Sequence, residues 1–254
     1  MRVSKKALRF YRTPAVQLLS MLVLASCAPE RIALQDTVER DGTVYAAEAD
    51  RPITGTVYSE DEAGEYVAVE VSYLNGIKHG VSQEYYDNGQ VRRSESFVGG
   101  VSDGVLQEWT SDGQLTLERG MSRGQPHRAS TTWYPSGALE SEATYSNGSL
   151  EGIRVLWYEN GQKKQERGFK NGRGHGLTTE WYESGALRSE TRWRIGQPEG
   201  AHTRWHENGE KAGEGRYKDG QMVELRIWDE GGNELPAPAL PQYRPPRQRP
   251  PSTR

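Results

Sequence analysis

Histidine and acid alternate at one fixed spacing along this chain: His79, Asp103, His127, Glu151, His175 and Glu199 fall 24 residues apart. These are residue types that ligate zinc or pass protons. The spacing argues against a metal. If each 24-residue step is a hairpin two strands wide, neighbouring members of the row sit about 10 Å apart, whereas zinc holds its ligands at about 2 Å. No metal and no cofactor are expected, and the row reads as hydrogen-bonding groups that order the turns beside them. Other catalytic signatures are missing from the sequence. There is no G-x-S-x-G, no glycine loop for phosphate ahead of a helix, and no unit with a cluster the others lack. The chain reads as a binding protein and not as an enzyme.

The elements that carry this row are repeats. Gly89, Gly113, Gly137, Gly161, Gly185 and Gly209 keep the same 24-residue period, which marks an array in which each unit buries its surface against its neighbours. Count each unit from Gly80, Gly104, Arg128, Gly152, Gly176 and Gly200 as position zero. Position five is then always a large aromatic: Tyr85, Trp109, Trp133, Trp157, Trp181 and Trp205. Positions eight and nine, such as Asn88-Gly89 and Ser184-Gly185, tolerate the left-handed backbone that closes a hairpin. Position seventeen returns to bulk (Phe97, Met121, Tyr145, Phe169, Trp193, Tyr217), and position twenty is again glycine. The unit is two short strands and two turns, and the fold class is all-β: an elongated antiparallel sheet of repeated β-hairpins.

Turn length decides which side chains share a face, because side chains alternate along a strand. With two three-residue loops per unit, each ending on a glycine bulge, the odd positions one, five, eleven and seventeen share one face. The glutamates at position fourteen (Glu118, Glu142, Glu166, Glu190, Glu214) then line the other. The aromatic column Tyr85, Trp109, Trp133, Trp157, Trp181 and Trp205 is the expected partner-binding surface, since tryptophan and tyrosine lose little freedom for the area they bury. The glutamate column reads as a solvated face.

The termini are different material. Arg2, Lys5, Lys6, Arg9 and Arg12 precede an apolar run at 15–25, and the stretch ends Leu24-Ala25-Ser26-Cys27, which resembles a bacterial lipobox. Residues 1–26 are expected to be a lipoprotein signal peptide, and Cys27, the sole cysteine, the lipidation (palmitate) site that anchors the chain. Residues 27–52 are an N-terminal linker and opening segment, 53–234 the hairpin array, and 235–254 a proline- and arginine-rich disordered tail. Five of the 32 basic residues fall in the signal, so 27 face 35 acids, a net of −8. An acidic body makes nucleic acid an improbable partner.

The units resemble the MORN repeat in the variant form found in bacterial proteins. The residues that carry the likeness are Tyr85-Tyr86, Asn88-Gly89, Phe97 and the intact NGIKHG (75–80) and NGRGHG (171–176), within a unit that recurs six times in phase. SRGQPHR (122–128) departs from the pattern, with Arg128 in place of glycine. The resemblance implies an extended scaffold for protein or membrane association, and a likeness to YwqK-type antitoxins. A lipid-anchored envelope scaffold that binds a protein or peptide is the reading adopted. A toxin-neutralising immunity protein and an envelope glycan binder are the alternatives. Ala28 after the lipid cysteine points to the outer membrane.

Overall fold

A computed structural model describes residues 30–243. The expected signal peptide, Cys27 and residues 244–254 of the tail lie outside the described residues. The chain begins with β1 (Glu30–Ala33), a single 3-10 turn (Leu34–Asp36), and β2 (Thr37–Arg40), β3 (Thr43–Ala46) and β4 (Arg51–Pro52). Next come β5 (Gly55–Glu60), β6 (Val67–Leu74), β7 (Ile77–Tyr85), β8 (Val91–Val98), β9 (Val101–Trp109), β10 (Leu115–Ser122), β11 (Gln125–Trp133) and β12 (Leu139–Ser146). The array continues through β13 (Ser149–Leu150), β14 (Gly152–Trp157), β15 (Lys163–Lys170), β16 (Arg173–Trp181), β17 (Leu187–Arg194) and β18 (Gln197–Trp205). It closes with β19 (Lys211–Lys218), β20 (Gln221–Trp228) and β21 (Glu234–Leu235).

From β5 onward each strand pairs antiparallel with the next in chain order, and β1 adds to the outside of β5 in parallel. The sheet has 18 segments. Because β13 and β14 both pair with β12, they are two pieces of one interrupted strand. The all-β hairpin array expected from the sequence is present.

The first turn of each unit is the three-residue loop that its glycine demands. Gly89 donates its N–H to the Tyr86 carbonyl at 2.9 Å, Tyr86 donates to Gln90 at 2.8 Å, and Gly89 sits at φ 80. The second turn differs from expectation. Leu74 pairs with Ile77 and Lys170 with Arg173, which leaves two-residue loops with both residues at positive φ, 50 for Asn171 and 73 for Gly172. This is the mirror-image turn whose twist suits a tight hairpin.

Two bulges per unit then decide the faces. After the first turn, Tyr85 pairs with Val91 but Glu84 with Arg93, so position twelve is an extra residue, and the same shift recurs in all six units. After the second turn, Phe97 pairs with Ser102 but Glu95 with Leu106, so Ser96 faces three residues, Asp103 to Val105. Position zero, inside that second bulge, has positive φ, and Arg128 adopts it at φ 67.

The bulge at position twelve overturns the expected faces. It changes the parity between the two strands of a unit, so position seventeen leaves the tryptophan column and joins positions two, four, six, thirteen and fifteen. The glutamates at position fourteen move to the tryptophan side. Two contacts show this directly: the Tyr85 hydroxyl donates to Glu70, which holds position fourteen of the preceding hairpin, at 2.9 Å. Lys163 binds Glu166 at 2.8 Å while standing 5.8 Å from the Trp181 ring centre.

The main hydrophobic core lies at the amino end. There β2, β3 and β4 form a second small sheet, and Val44, Ala46, Ile53 and Val57 cluster with Ile32 and Tyr73 against them. Ile53 is fully buried, and its carbonyl accepts the Gly76 N–H at 2.7 Å. This small sheet covers the first position-seventeen aromatic, Tyr73. At the other end the short β21 pairs with β20, and the Tyr243 hydroxyl donates to Asp219.

Candidate functional site

Successive units are laced together along both margins of the sheet, except that Thr110, at position six of the second unit, keeps its hydroxyl bonds within its own turn. On one margin the position-six side chain donates to the backbone carbonyl of the next position-five residue: Tyr86 to Trp109 at 2.7 Å, Tyr134 to Trp157 at 2.9 Å, Tyr158 to Trp181 at 3.0 Å and Tyr182 to Trp205 at 2.9 Å. His206 makes the equivalent bond to Trp228 at 2.9 Å. Where position eight is asparagine its amide adds a second tie, as from Asn160 to Glu183 at 2.8 Å. On the other margin the turn glycines donate backward, Gly124 to Ser102 and Gly172 to Leu150. Here four of the six members of the histidine and acid row bond to turn backbone, while His79 and His175 do not. Asp103, His127, Glu151 and Glu199 accept the N–H of Arg123, Asn147, Asn171 and Asp219 at 3.2, 3.5, 2.8 and 3.0 Å. Each satisfies the backbone donor that opens the next turn, the ordering bond expected for the row.

The structure brings Tyr85, Trp109, Trp133, Trp157, Trp181 and Trp205 into one half-buried column. Beside it runs the position-one row, whose aliphatic members are conspicuously bare: Val81, Val105 and Leu177 are 46% exposed and Ile153 58%. Position-three side chains and the glutamate column complete this face, with Gln107 donating to Glu118 at 2.8 Å. Tyr85, at the amino end of the column, has its phenol pushed up to about 12 by burial and then by its bond to Glu70.

The opposite face carries what the sequence reading missed. Its position-seventeen aromatics stack with cations from positions two and fifteen: Arg119 lies 5.8 Å from the Tyr145 ring centre, Arg154 and Arg167 lie 5.4 and 5.2 Å from Phe169, and Arg167 lies 4.2 Å from Trp193. A groove of about 500 Å³ opens here across β15 to β20, lined by Arg167, Glu180, Arg188, Trp193, His202 and Arg204 among others. Glu180 is held by Gln165 at 2.9 Å and Ser189 at 3.0 Å, and Thr191 bonds His202 at 2.8 Å. Burial, followed by the adjoining Arg154 guanidinium, pulls Arg167 below the usual arginine range. Burial, followed by Arg204, does the same to His202. The sequence offered little signal for this: arginine holds position two only at Arg154 and position fifteen only at Arg119 and Arg167, and their shared face could be read only with the bulges known.

Four segments, residues 78–98, 129–147, 150–171 and 198–219, match the family model described as the MORN repeat variant. The units between them, around Trp109 and Trp181, keep the same strands and turns. A search of curated proteins returned no match.

Proposed function

We propose that this chain, four segments of which match the MORN repeat variant, is a repeat scaffold that works as a lipid-anchored binding protein of the cell envelope. In this reading Cys27 carries the lipid, the anchor places the array at the outer membrane, and the tryptophan face holds a protein or peptide partner. One observation carries it. Outside the amino-terminal cap the described residues form a single layer of sheet, and on the tryptophan side a row of aliphatics stays about half exposed, unit after unit, beside the column. A sheet ordinarily buries such a face against a second layer, and contiguous exposed apolar surface of this kind marks an interaction site.

The test is crosslinking in living cells with the full-length protein tagged at its C-terminus. A Trp109→Ala, Trp157→Ala, Trp205→Ala variant serves as control, its fold checked by circular dichroism. Capture of one protein by the wild type and its loss in the folded variant is the expected result. Identical capture by both would remove the tryptophan face from the function. A Cys27→Ser variant that still fractionates with membranes would remove the anchor.

A further inference from the structure

On the face opposite the tryptophan column, arginines are treated in two ways. Near the amino end Arg93 is neutralised, with Glu95 and Glu108 both at 2.8 Å. Toward the other end Arg154, Arg167, Arg188 and Arg204 make no ion pair among the described residues. Arg154 and Arg167 are directly opposite each other on β14 and β15, both half-buried, with like charges side by side. Such an arrangement destabilises an isolated sheet.

The same place collects unpartnered polar atoms. Arg154 Nε, Arg167 Nε, Trp193 Nε1 and Thr178 Oγ1 are buried without a hydrogen-bond partner. Register ties them together, since Arg154 opposes Arg167, Arg167 opposes Thr178, and Trp193 stacks on the Arg167 guanidinium. Three of the four atoms are obligate donors. Native structures rarely leave such groups unmet, and those that do carry an explanation.

We propose that this groove binds an extended acidic peptide segment, whose carboxylates neutralise Arg167, Arg188 and Arg204 in its lining and Arg154 on the adjoining strand. The arginines are spread from β14 to β18, four strand steps or about 19 Å, the length of about six extended residues. That spacing fits charges strung along a chain better than one free anion. Phe169 and Trp193 clamp Arg167 between them, which fixes the guanidinium before the ligand arrives. The Glu180 carboxylate lines the same groove and offers acceptor lone pairs to peptide N–H groups. The chain's own tail bears arginine and no acid, so it does not supply the segment. The arginines lie on the face opposite the tryptophan column, of which Trp205 alone reaches the groove lining, so the proposal is tested apart from Trp109 and Trp157.

The experiment is fluorescence anisotropy of labelled hexaglutamate titrated with the full-length protein, hexaglutamine being the neutral control. Saturable binding is expected for hexaglutamate alone, declining with salt. Arg167→Gln should weaken it about tenfold, the loss typical of one charge-assisted bond. Arg204→Gln, at an exposed position that cannot unfold the sheet, should weaken it in the same direction, while a Trp109→Ala, Trp157→Ala variant, altered only at tryptophans that do not line the groove, should leave it unchanged. Equal affinity in wild type, Arg167→Gln and Arg204→Gln would overturn the proposal. So would binding of inorganic phosphate or phosphatidylglycerol vesicles with no binding of the peptide. Concentration-dependent self-association by sedimentation, abolished by Glu62→Lys in the acidic turn before β6, would assign the groove to a second copy instead.

Discussion

Replacing Tyr134, Tyr158 and Tyr182 together by phenylalanine removes three hydroxyls and little else. Each hydroxyl donates at 2.9 to 3.0 Å to a backbone carbonyl one unit away, and each ring is half-buried. A hydrogen bond of this kind contributes about 1 kcal/mol net. The three sites stand about 10 Å apart with separate partners, so their losses should add, to about 3 kcal/mol. With a urea m-value of about 2 kcal/mol/M, the midpoint should fall by about 1.5 M. Far-ultraviolet circular dichroism and tryptophan fluorescence, followed in the same titration, give that midpoint. A fall of less than about 0.3 M would show that these bonds merely replace equal bonds to water, and that the backbone ladder alone couples the units.

Two further outcomes follow from local geometry. Ile195 holds a left-handed turn position at φ 51 with its side chain 60% exposed, so Ile195→Asn relieves strain without losing packing. The gain should be about 1 kcal/mol, raising the thermal midpoint by about 3 °C in a scan, and an unchanged or lowered midpoint would count against the strain. Tyr85 has a folded pKa raised to about 12 from 10. Its contribution is therefore whole below pH 10 and is lost as pH rises through 12. The stability difference between wild type and Tyr85→Phe should shrink across that window in urea titrations at stepped pH, and a constant difference would refute the assignment.

Much of the architecture was legible because turns demand particular residues. Asn88-Gly89 and its five counterparts named the first loop, and the glycine at position twenty named the second. The length of the second loop was not legible, since Asn-Gly serves both two- and three-residue turns. The bulge at position twelve left no mark at all. Arg92, Thr116, Glu140, Lys164, Arg188 and Ala212 share no property, for that extra residue keeps an ordinary backbone and needs no special side chain. Missing it placed Phe169 and Trp193 beside the tryptophan column, and with them the arginines they hold. The site expected from the aromatic period is a real column, whereas the arginine groove depends on a register the sequence does not display. Bonds that order the turns were readable from the histidine and acid row, and they are present at Asp103, His127, Glu151 and Glu199 but not at His79 or His175.

Every unit continues the same ladder, most add a tyrosine tie and a turn-glycine bond to a neighbour, and the two ends are finished by β1 with its small sheet and by β21. Length is thus independent of both ends. Each unit advances the molecule by about 10 Å along the stacking direction, and the whole sheet spans about 80 Å. The protein behaves as a ruler graduated in whole hairpins, and its reach can be reset by adding or deleting units without redesigning a core.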